Sequence, residues 1–431
     1  MSHDAQPRSN IPELRLSQRW RWASKQAISF LMQQAVENPG VISLAAGLVD
    51  PDSLPVPETL AAAQTLLADD RLARQALQYG TTAGAERLRR VLLGHFARLE
   101  GQPAEALGVD AGQIVLTTGS QQLLSLVGEV LLDPGDICLV AAPTYFVFLG
   151  VLNGLGAQAV PVPADDDGLR VDLLERELEQ LDAEGQHDRV TLIYTVSYYK
   201  NPSGISLAAG RRRELVEIAR RWSRGQRLMI LEDAAYRELR YDGPDLPSVW
   251  SFDREFVIYA QTFSKSFSPG LRVGYGVLPR ELVAPVCDRK GNEDFGSANF
   301  NQHLLATVFE QGLYEDHVNH VRASCRRKRD AMLAAAERHF AGLPGVSWVQ
   351  PHGGLYVWMR LPEAVNTSFD SLLFTRAVQV EKVMYVPGEL FYAGPANRRH
   401  RNELRLSFGV QPVEGIAAGM ERLARAVRSV L

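Results

Sequence analysis

Between about residue 56 and about residue 300, short apolar runs alternate with amphipathic stretches, the pattern of a parallel sheet flanked by helices. The runs Ile114–Thr117, Ile137–Ala141, Ala159–Val162, Val190–Thr195, Leu228–Leu231, Phe256–Ala260 and Val273–Val277 predict strands. Most are rich in β-branched residues and bounded by Gly, Pro or Asp. Between them, residues 169–181 carry leucines at helical spacing, and residues 208–223 read as a helix whose run Arg211–Arg213 forms a solvated face. Past residue 300 the pattern changes. A long helical stretch is expected over about 301–340, closed by Pro344 and Gly345, with Arg326, Arg327, Lys328 and Arg329 on its solvated side. Strands at 347–349, 355–361, 383–386 and 404–408, a helix near 368–381 and a terminal helix then make a smaller α+β unit. No internal repeat or low-complexity linker intervenes, so the two units are expected to pack tightly.

A chain of 431 residues has room for two large domains or three ordinary ones. Its 46% hydrophobic and 22% charged residues exclude disordered, collagenous and coiled-coil classes. With 46 basic against 50 acidic residues the net charge is −4, which supplies no broad positive field for nucleic acid or anionic membrane, so a small substrate is expected. Cys138, Cys287 and Cys325 are widely spaced with no CxxC, and read as inert thiols rather than a disulfide framework or zinc cage. His303, His317 and His320 lack the carboxylate or cysteine that would complete a metal pattern, so no metal is expected. The opening residues 1–10 are polar and carry Asp4 and Arg8, unlike a secretory signal, which suggests a cytoplasmic protein. The uncharged stretch 137–164 is long enough to span a bilayer, but Pro143, Gly150, Asn153, Gly154 and Pro161 interrupt it, and it reads as buried strand, helix and strand.

The most specific segment runs from Thr262 through Ser264, Lys265, Ser266, Ser268, Pro269, Gly270 and Arg272 to Gly274 and Tyr275. One lysine lies among small hydroxyl residues, with an arginine seven positions later between glycines that let the backbone bend sharply. Hydroxyls and arginine can hold a phosphate dianion, while a desolvated lysine near other cations is tuned to form a Schiff base. A surface loop of serines and a lysine is the plainer alternative for this segment alone.

The pattern SKxxxPGLRxGY resembles the cofactor-lysine signature of pyridoxal-phosphate aminotransferases of fold type I, class I/II. Matching blocks run from about Ile42 to Gly409, and the branch with 2-aminoadipate and kynurenine aminotransferases is most similar. The resemblance implies an α/β fold: a large domain with a mainly parallel seven-stranded sheet flanked by helices, plus a smaller α+β domain. The expected division is an N-terminal arm and part of the small domain at 1–55, a cofactor-binding domain at 56–300, and a connecting helix with the small domain at 301–431. It also implies a transaminase that moves an amino group between an L-amino acid and a 2-oxo acid by a ping-pong mechanism, using pyridoxal 5'-phosphate.

Carried over residue by residue, Lys265 becomes the Schiff-base lysine and then the proton carrier. Asp233, at a predicted strand end where ligands gather in open α/β sheets, becomes the partner of the ring nitrogen. Tyr236 and Asn201 are implied as donors to the phenolate oxygen, Asn201 from a turn Asn201-Pro202-Ser203-Gly204 in which serine replaces the family's threonine. Ser120 and Gln121, at a helix start after a strand, are implied to contact phosphate with Thr262 and Arg272. Tyr145 matches the aromatic that stacks on the ring. Arg405 matches the fork that grips the substrate α-carboxylate, Gly47 lies in a loop near it, and Tyr356 could line the side-chain pocket or simply be packed. Tyr79 matches the tyrosine lent to the neighbouring subunit's phosphate, which implies a homodimer with shared active sites.

Some positions depart from the relatives. Ser29 falls where they place an arginine that reads the substrate tail; Arg21 or Lys25 could substitute. Tyr198, Tyr199 and Lys200, and Phe391, Tyr392, Arg398 and Arg399 in the 388–400 loop, are further candidates for specificity. The donor therefore stays open. So does the reaction, since a lyase, decarboxylase or oxidase could use the same lysine and aspartate on this scaffold. A DNA-binding regulator built on an aminotransferase-like domain would need an additional module, and the roughly 40 residues before Val41 show no helix-turn-helix pattern.

Overall fold

The computed structural model describes residues 14–23, 40–394 and 399–431; Met1–Asn10, Lys25, Ser29 and Arg398 lie outside the described residues. The strands in chain order are β1 (Ile42–Ser43), β2 (Ile114–Thr117), β3 (Ile137–Ala142), β4 (Gln158–Asp165), β5 (Gly168–Leu169), β6 (Val190–Val196), β7 (Met229–Asp233), β8 (Val257–Thr262) and β9 (Gly274–Val277). Strands β2 to β9 form one sheet in the order β2-β9-β8-β7-β6-β3-β4-β5. From β8 to β4 all neighbours are parallel, whereas β9 runs antiparallel to β8 and β2. The two-residue β5 pairs back on β4, adding a short eighth strand to the seven expected. β3 and β6 are almost wholly buried, because helices cover both faces of a parallel sheet.

Strand order reverses between β6 and β3, since the chain leaves β3 for β4 on one side and β6 for β7 and β8 on the other. In open α/β sheets such a switch point leaves a crevice at the carboxyl ends of the strands. Tyr145 follows β3, Asn201 follows β6, Asp233 ends β7 and Lys265 follows β8, so four candidate residues reach that crevice from four strand ends.

The remaining strands, β10 (Ser347–Trp348), β11 (Tyr356–Arg360), β12 (Val383–Met384), β13 (Val386–Pro387) and β14 (Glu403–Ser407), belong to the smaller unit. There β10-β11-β14-β13 form an antiparallel sheet, and β1 pairs in parallel with β12, tying the N-terminal segment to it. The helices Leu313–Phe340 and Val413–Arg428 accompany this sheet. Among the described residues no helix is long and apolar enough to cross a membrane.

Three expectations are corrected. The stretch 301–340 is two helices, Asn299–Glu310 and Leu313–Phe340, broken where Gly312 takes φ +73°, a conformation glycine adopts without steric cost. The helix near 368–381 is one α-turn, Leu372–Thr375, widened into π-helix over Arg376–Val380. The basic runs are not wholly solvated. Arg212 is fully buried and donates to the carbonyls of Leu207, Pro247 and Ser197 at 2.8, 2.8 and 2.6 Å. Lys328 and Arg329 are buried too, Lys328 on Asp50 at 2.6 Å and Arg329 on Asp242 at 2.7 Å. A charged side chain is tolerated inside when every donor finds an acceptor.

The large sheet meets the crevice through a glycine. A Cβ on Gly274 would come within 2.6 Å of the Gly119 carbonyl carbon and the Ser120 nitrogen, so β9 sits directly against the start of the helix Gly119–Leu131. Gly274→Ala is expected to push that helix start away and lower stability by about 1–3 kcal/mol. Urea unfolding should show an earlier midpoint at unchanged slope; an unchanged midpoint would contradict the close approach.

Candidate active site

At the switch point lies a cavity of about 360 Å³ bounded by both units. Its floor is the half-buried Lys265, whose Nζ donates to the Gly47 carbonyl at 2.7 Å. Burial lowers the lysine's proton affinity, and the positive charges of Arg405 and Arg272 push it the same way against the opposing pull of Tyr356.

Asp233 faces the cavity from the end of β7. Its Oδ2 accepts from the Tyr194 hydroxyl at 2.9 Å and its Oδ1 from the Ala235 amide at 3.1 Å. Burial nevertheless raises its carboxyl to about 6. The adjacent Glu232 points to the other face of the strand, where Ser197 Oγ at 2.6 Å and the amides of Val249 and Trp250 at 3.0 and 2.9 Å satisfy it. Strand alternation thus gives one carboxylate to the cavity and one to the core.

One end of the cavity is built to receive an anion. The helix Gly119–Leu131 opens there with Ser120 and Gln121, and the Gln121 Oε1 is buried without a partner. Arg272, at φ +52°, lays its guanidinium beside Gly119, which takes φ +71°; a Cβ on Gly119 would stand 2.8 Å from Arg272 Nη2. Among the described residues that guanidinium meets only the Ser264 hydroxyl and the carbonyls of Pro269 and Thr118, at 3.3, 3.4 and 3.3 Å. Thr262 and Ser264 share a hydrogen bond of 3.0 Å beside it.

The opposite wall comes from the small unit. Arg405, on β14, donates through Nη1 to Asn201 Oδ1 at 2.8 Å and through Nη2 to the Ala45 carbonyl at 2.7 Å, while its Nε is buried without a partner. Its guanidinium lies 4.3 Å from the Tyr356 ring centre and 5.3 Å from that of Phe391. Because an arginine only donates, the atom of Asn201 toward it is the oxygen, and the side-chain NH2 is left to point elsewhere. Tyr356 and Tyr236 share a hydroxyl–hydroxyl contact of 3.2 Å. Burial alone would raise the Tyr356 hydroxyl, but Arg405, Lys265 and the bond to Tyr236 outweigh it and hold it below its ordinary value. Burial holds the hydroxyls of Tyr236 and Tyr145 high. Gly47 fits because a Cβ there would meet the Tyr356 hydroxyl at 2.8 Å.

Of the residues singled out from sequence, Lys265, Asp233, Tyr145, Tyr236, Asn201, Ser120, Gln121, Thr262, Arg272, Arg405, Gly47 and Tyr356 all line this cavity. Tyr79 does not: it is 83% exposed and lies edge-on to Phe295, itself 63% exposed. Nor do Tyr198, Tyr199 and Lys200. The Tyr198 hydroxyl donates to the Leu246 carbonyl at 2.9 Å, Tyr199 packs on Gly353 and Gly354, and Lys200 turns away behind Asn201. Arg21, Tyr392 and Arg399 are likewise absent from the lining, and Phe391 acts only from beneath Arg405. No group of His, Cys, Asp and Glu among the described residues could hold a metal ion. Tyr194, Val147 and Met384 were not singled out, and Ser264 was read only as one hydroxyl of its segment.

The family model for aminotransferase class I and II matches residues 39–423. An aromatic-amino-acid aminotransferase of Thermococcus litoralis is 36% identical over 91% of this chain and 89% of its own length. The multiple substrate aminotransferase of Thermococcus profundus superposes with a TM-score of 0.87 at 35% identity, covering 96% of this chain and 97% of that one. The α-aminoadipate aminotransferase of Thermus thermophilus, solved with N-(5'-phosphopyridoxyl)-L-leucine, superposes with a TM-score of 0.82 at 32% identity, covering 96% and 97%.

The raised Asp233 carboxyl makes a test of the protein free of small molecules. A carboxyl whose pKa folding raises adds stability below its unfolded value, 3.8, and loses it as pH rises through its folded value, about 6. Asp233→Asn should therefore gain on the unsubstituted protein as pH climbs across that window, by at most about 3 kcal/mol. Urea midpoints of both proteins measured along the pH axis check this; parallel profiles would contradict it.

Proposed function

Since the chain belongs to aminotransferase class I and II and is a transaminase of fold type I, we propose that it holds pyridoxal 5'-phosphate over Lys265 and exchanges an amino group between an L-amino acid and a 2-oxo acid in two half-reactions. One observation carries the reading. Lys265, Arg272 and Arg405 face one cavity with no carboxylate partner among the described residues, while Asp233 has no cation. A phosphate, a substrate carboxylate and a protonated ring nitrogen would balance all four. The orphaned Arg405 Nε and the cradle between Arg272 and Gly119 agree with that set. When bound, the cofactor supplies an electron sink for the pair left at Cα when its proton departs.

The chain's own residues then divide the work. Lys265 Nζ, kept a ready base by burial, takes the α-proton and gives one back. Asp233 faces the ring nitrogen as its counter-charge, with Tyr194 holding the carboxylate in line. Ser120, Gln121, Thr262, Ser264 and Arg272 receive the phosphate. Tyr236 and the free NH2 of Asn201 would hold the cofactor's phenolate oxygen, and Tyr145 would pack against its ring. Arg405 grips the α-carboxylate in a fork beside Gly47, and Tyr356 borders the side-chain pocket.

The wall around that pocket includes Leu48, Phe146, Val147 and Met384 and adds no further cation among the described residues, which favours apolar or aromatic donors over acidic ones. We further read the chain as a cytoplasmic homodimer. Exposed Leu77, Tyr79 and Phe295 form an apolar patch suited to a second copy, whose phosphate Tyr79 would reach. The domains are taken as 56–300 for the cofactor unit, with 1–55 and 301–431 as the arm and small unit, in keeping with the β1–β12 pairing.

An absorbance titration tests the reading. The purified protein should show a visible cofactor band that leucine or phenylalanine converts to the pyridoxamine form more readily than aminoadipate or glutamate does, and that a 2-oxo acid restores. Release of ammonia with no pyridoxamine form would point to a lyase instead. Lys265→Ala should lose the band and all turnover, and steady turnover in that variant would overturn the assignment. Arg405→Lys should weaken the apparent affinity for every amino donor by about 1.5–3 kcal/mol, the value of a charged hydrogen bond, and unchanged affinities would remove Arg405 from its role.

A further inference from the structure

A second cleft, of about 940 Å³, opens on the far side of Asn201, between the edge strand β4 with the helix Val171–Ala183 and the small-unit strands β10, β11 and β14. Lys200 forms part of its wall. The residue is 2% exposed, and none of the described residues accepts a hydrogen bond from its ammonium or pairs with it. It is alone in this. Among the other described lysines, Lys265 donates to Gly47, Lys290 to Asp294 and Lys328 to Asp50, and Lys382 is exposed.

Leaving an ammonium buried without an acceptor is costly, and burial accordingly lowers Lys200 to about 8 against the contrary pull of Asp165. Five carboxylates line the cleft and none pairs with Lys200: Asp166 and Glu177 stand without a hydrogen bond among the described residues, Glu184 accepts from Gln180 and Gln186 at 2.9 and 2.8 Å, and the other two are engaged elsewhere. Asp165 accepts from Arg211 at 2.8 Å, and Glu403 accepts from Arg360 at 2.7 Å and from the Tyr392 hydroxyl at 2.5 Å. Besides the amine and these acidic groups, the cleft offers aromatic surface, from Trp348 and the buried Trp358.

We propose that this cleft is a second small-molecule site, separate from the catalytic cavity, that takes an aromatic carboxylate with its carboxylate on the Lys200 ammonium and its ring against Trp348 and Trp358. The site shares no lining residue with the catalytic cavity, and its anchor precedes Asn201 directly in the chain. It does not depend on which donor the enzyme uses.

The test uses the holoenzyme and two probes, 1-naphthoate and its uncharged analogue 1-naphthamide, titrated by calorimetry. Naphthoate should saturate the unsubstituted protein and Arg405→Lys with similar affinity, and bind Lys200→Gln and Lys200→Met about tenfold more weakly or worse, with naphthamide weak throughout. Because a buried substitution can impair folding, a second measurement uses the unsubstituted protein alone: naphthoate should protect Lys200, but not exposed Lys382, from reductive methylation read by mass spectrometry. Equal affinity in the Lys200 variants, no saturable binding, or no protection of Lys200 would overturn the proposal. Loss of binding in Arg405→Lys alone would place the ligand in the catalytic cavity and overturn it equally.

Discussion

Positive charge without a protein counter-charge is the condition around which this molecule is arranged. Lys265, Arg272 and Arg405 converge on one enclosed space, and the oxygens that meet them belong to carbonyls, hydroxyls and an amide. Burial first, and the repulsion of the two arginines after it, favour neutral lysine, which is why the Lys265 amine loses proton affinity where it sits. A dianion at one end and a carboxylate at the other, as proposed, would relieve the imbalance, and ligands that bind the folded form alone would also stabilise it.

Rigid elements hold that arrangement. The candidate residues of the large unit stand at the ends of adjacent buried strands, where the ladder fixes their spacing, and two glycines let the backbone of β9 and the guanidinium of Arg272 press against one helix start. The small unit contributes Arg405 and Tyr356 from paired central strands, β14 and β11, that share their register directly. A site assembled from two units in this way is complete only while they are in contact.

The strands of the large sheet were legible because burial on both faces writes continuous apolar runs, and the lysine–arginine segment was legible because its chemistry demands that spacing. Other features leave no local trace. Arg212, Lys328 and Arg329 sit in charge runs that look solvated, and only the folded chain brings carbonyls and carboxylates to them. The break at Gly312 competes with strong helical patterning on both sides, and the positive φ is set by the angle between two packed helices. Lys200 was read as a specificity candidate, yet one residue's step along a loop turns its side chain from the catalytic cavity to the neighbouring cleft.

The bond between Arg405 and Asn201 gives two residues shared employment. On the roles proposed for them, Asn201 Oδ1 would orient the carboxylate fork while its NH2 serves the cofactor, so the grip on every substrate and the electronics of the common chemistry would be mechanically joined. Such joint responsibility is a form of pleiotropy: neither residue can be retuned for one duty without disturbing the other. Divergence toward new donors is thereby channelled away from this pair and into the uncharged wall formed by Leu48, Val147 and Met384, the part of the cavity where variation is least entangled with catalysis.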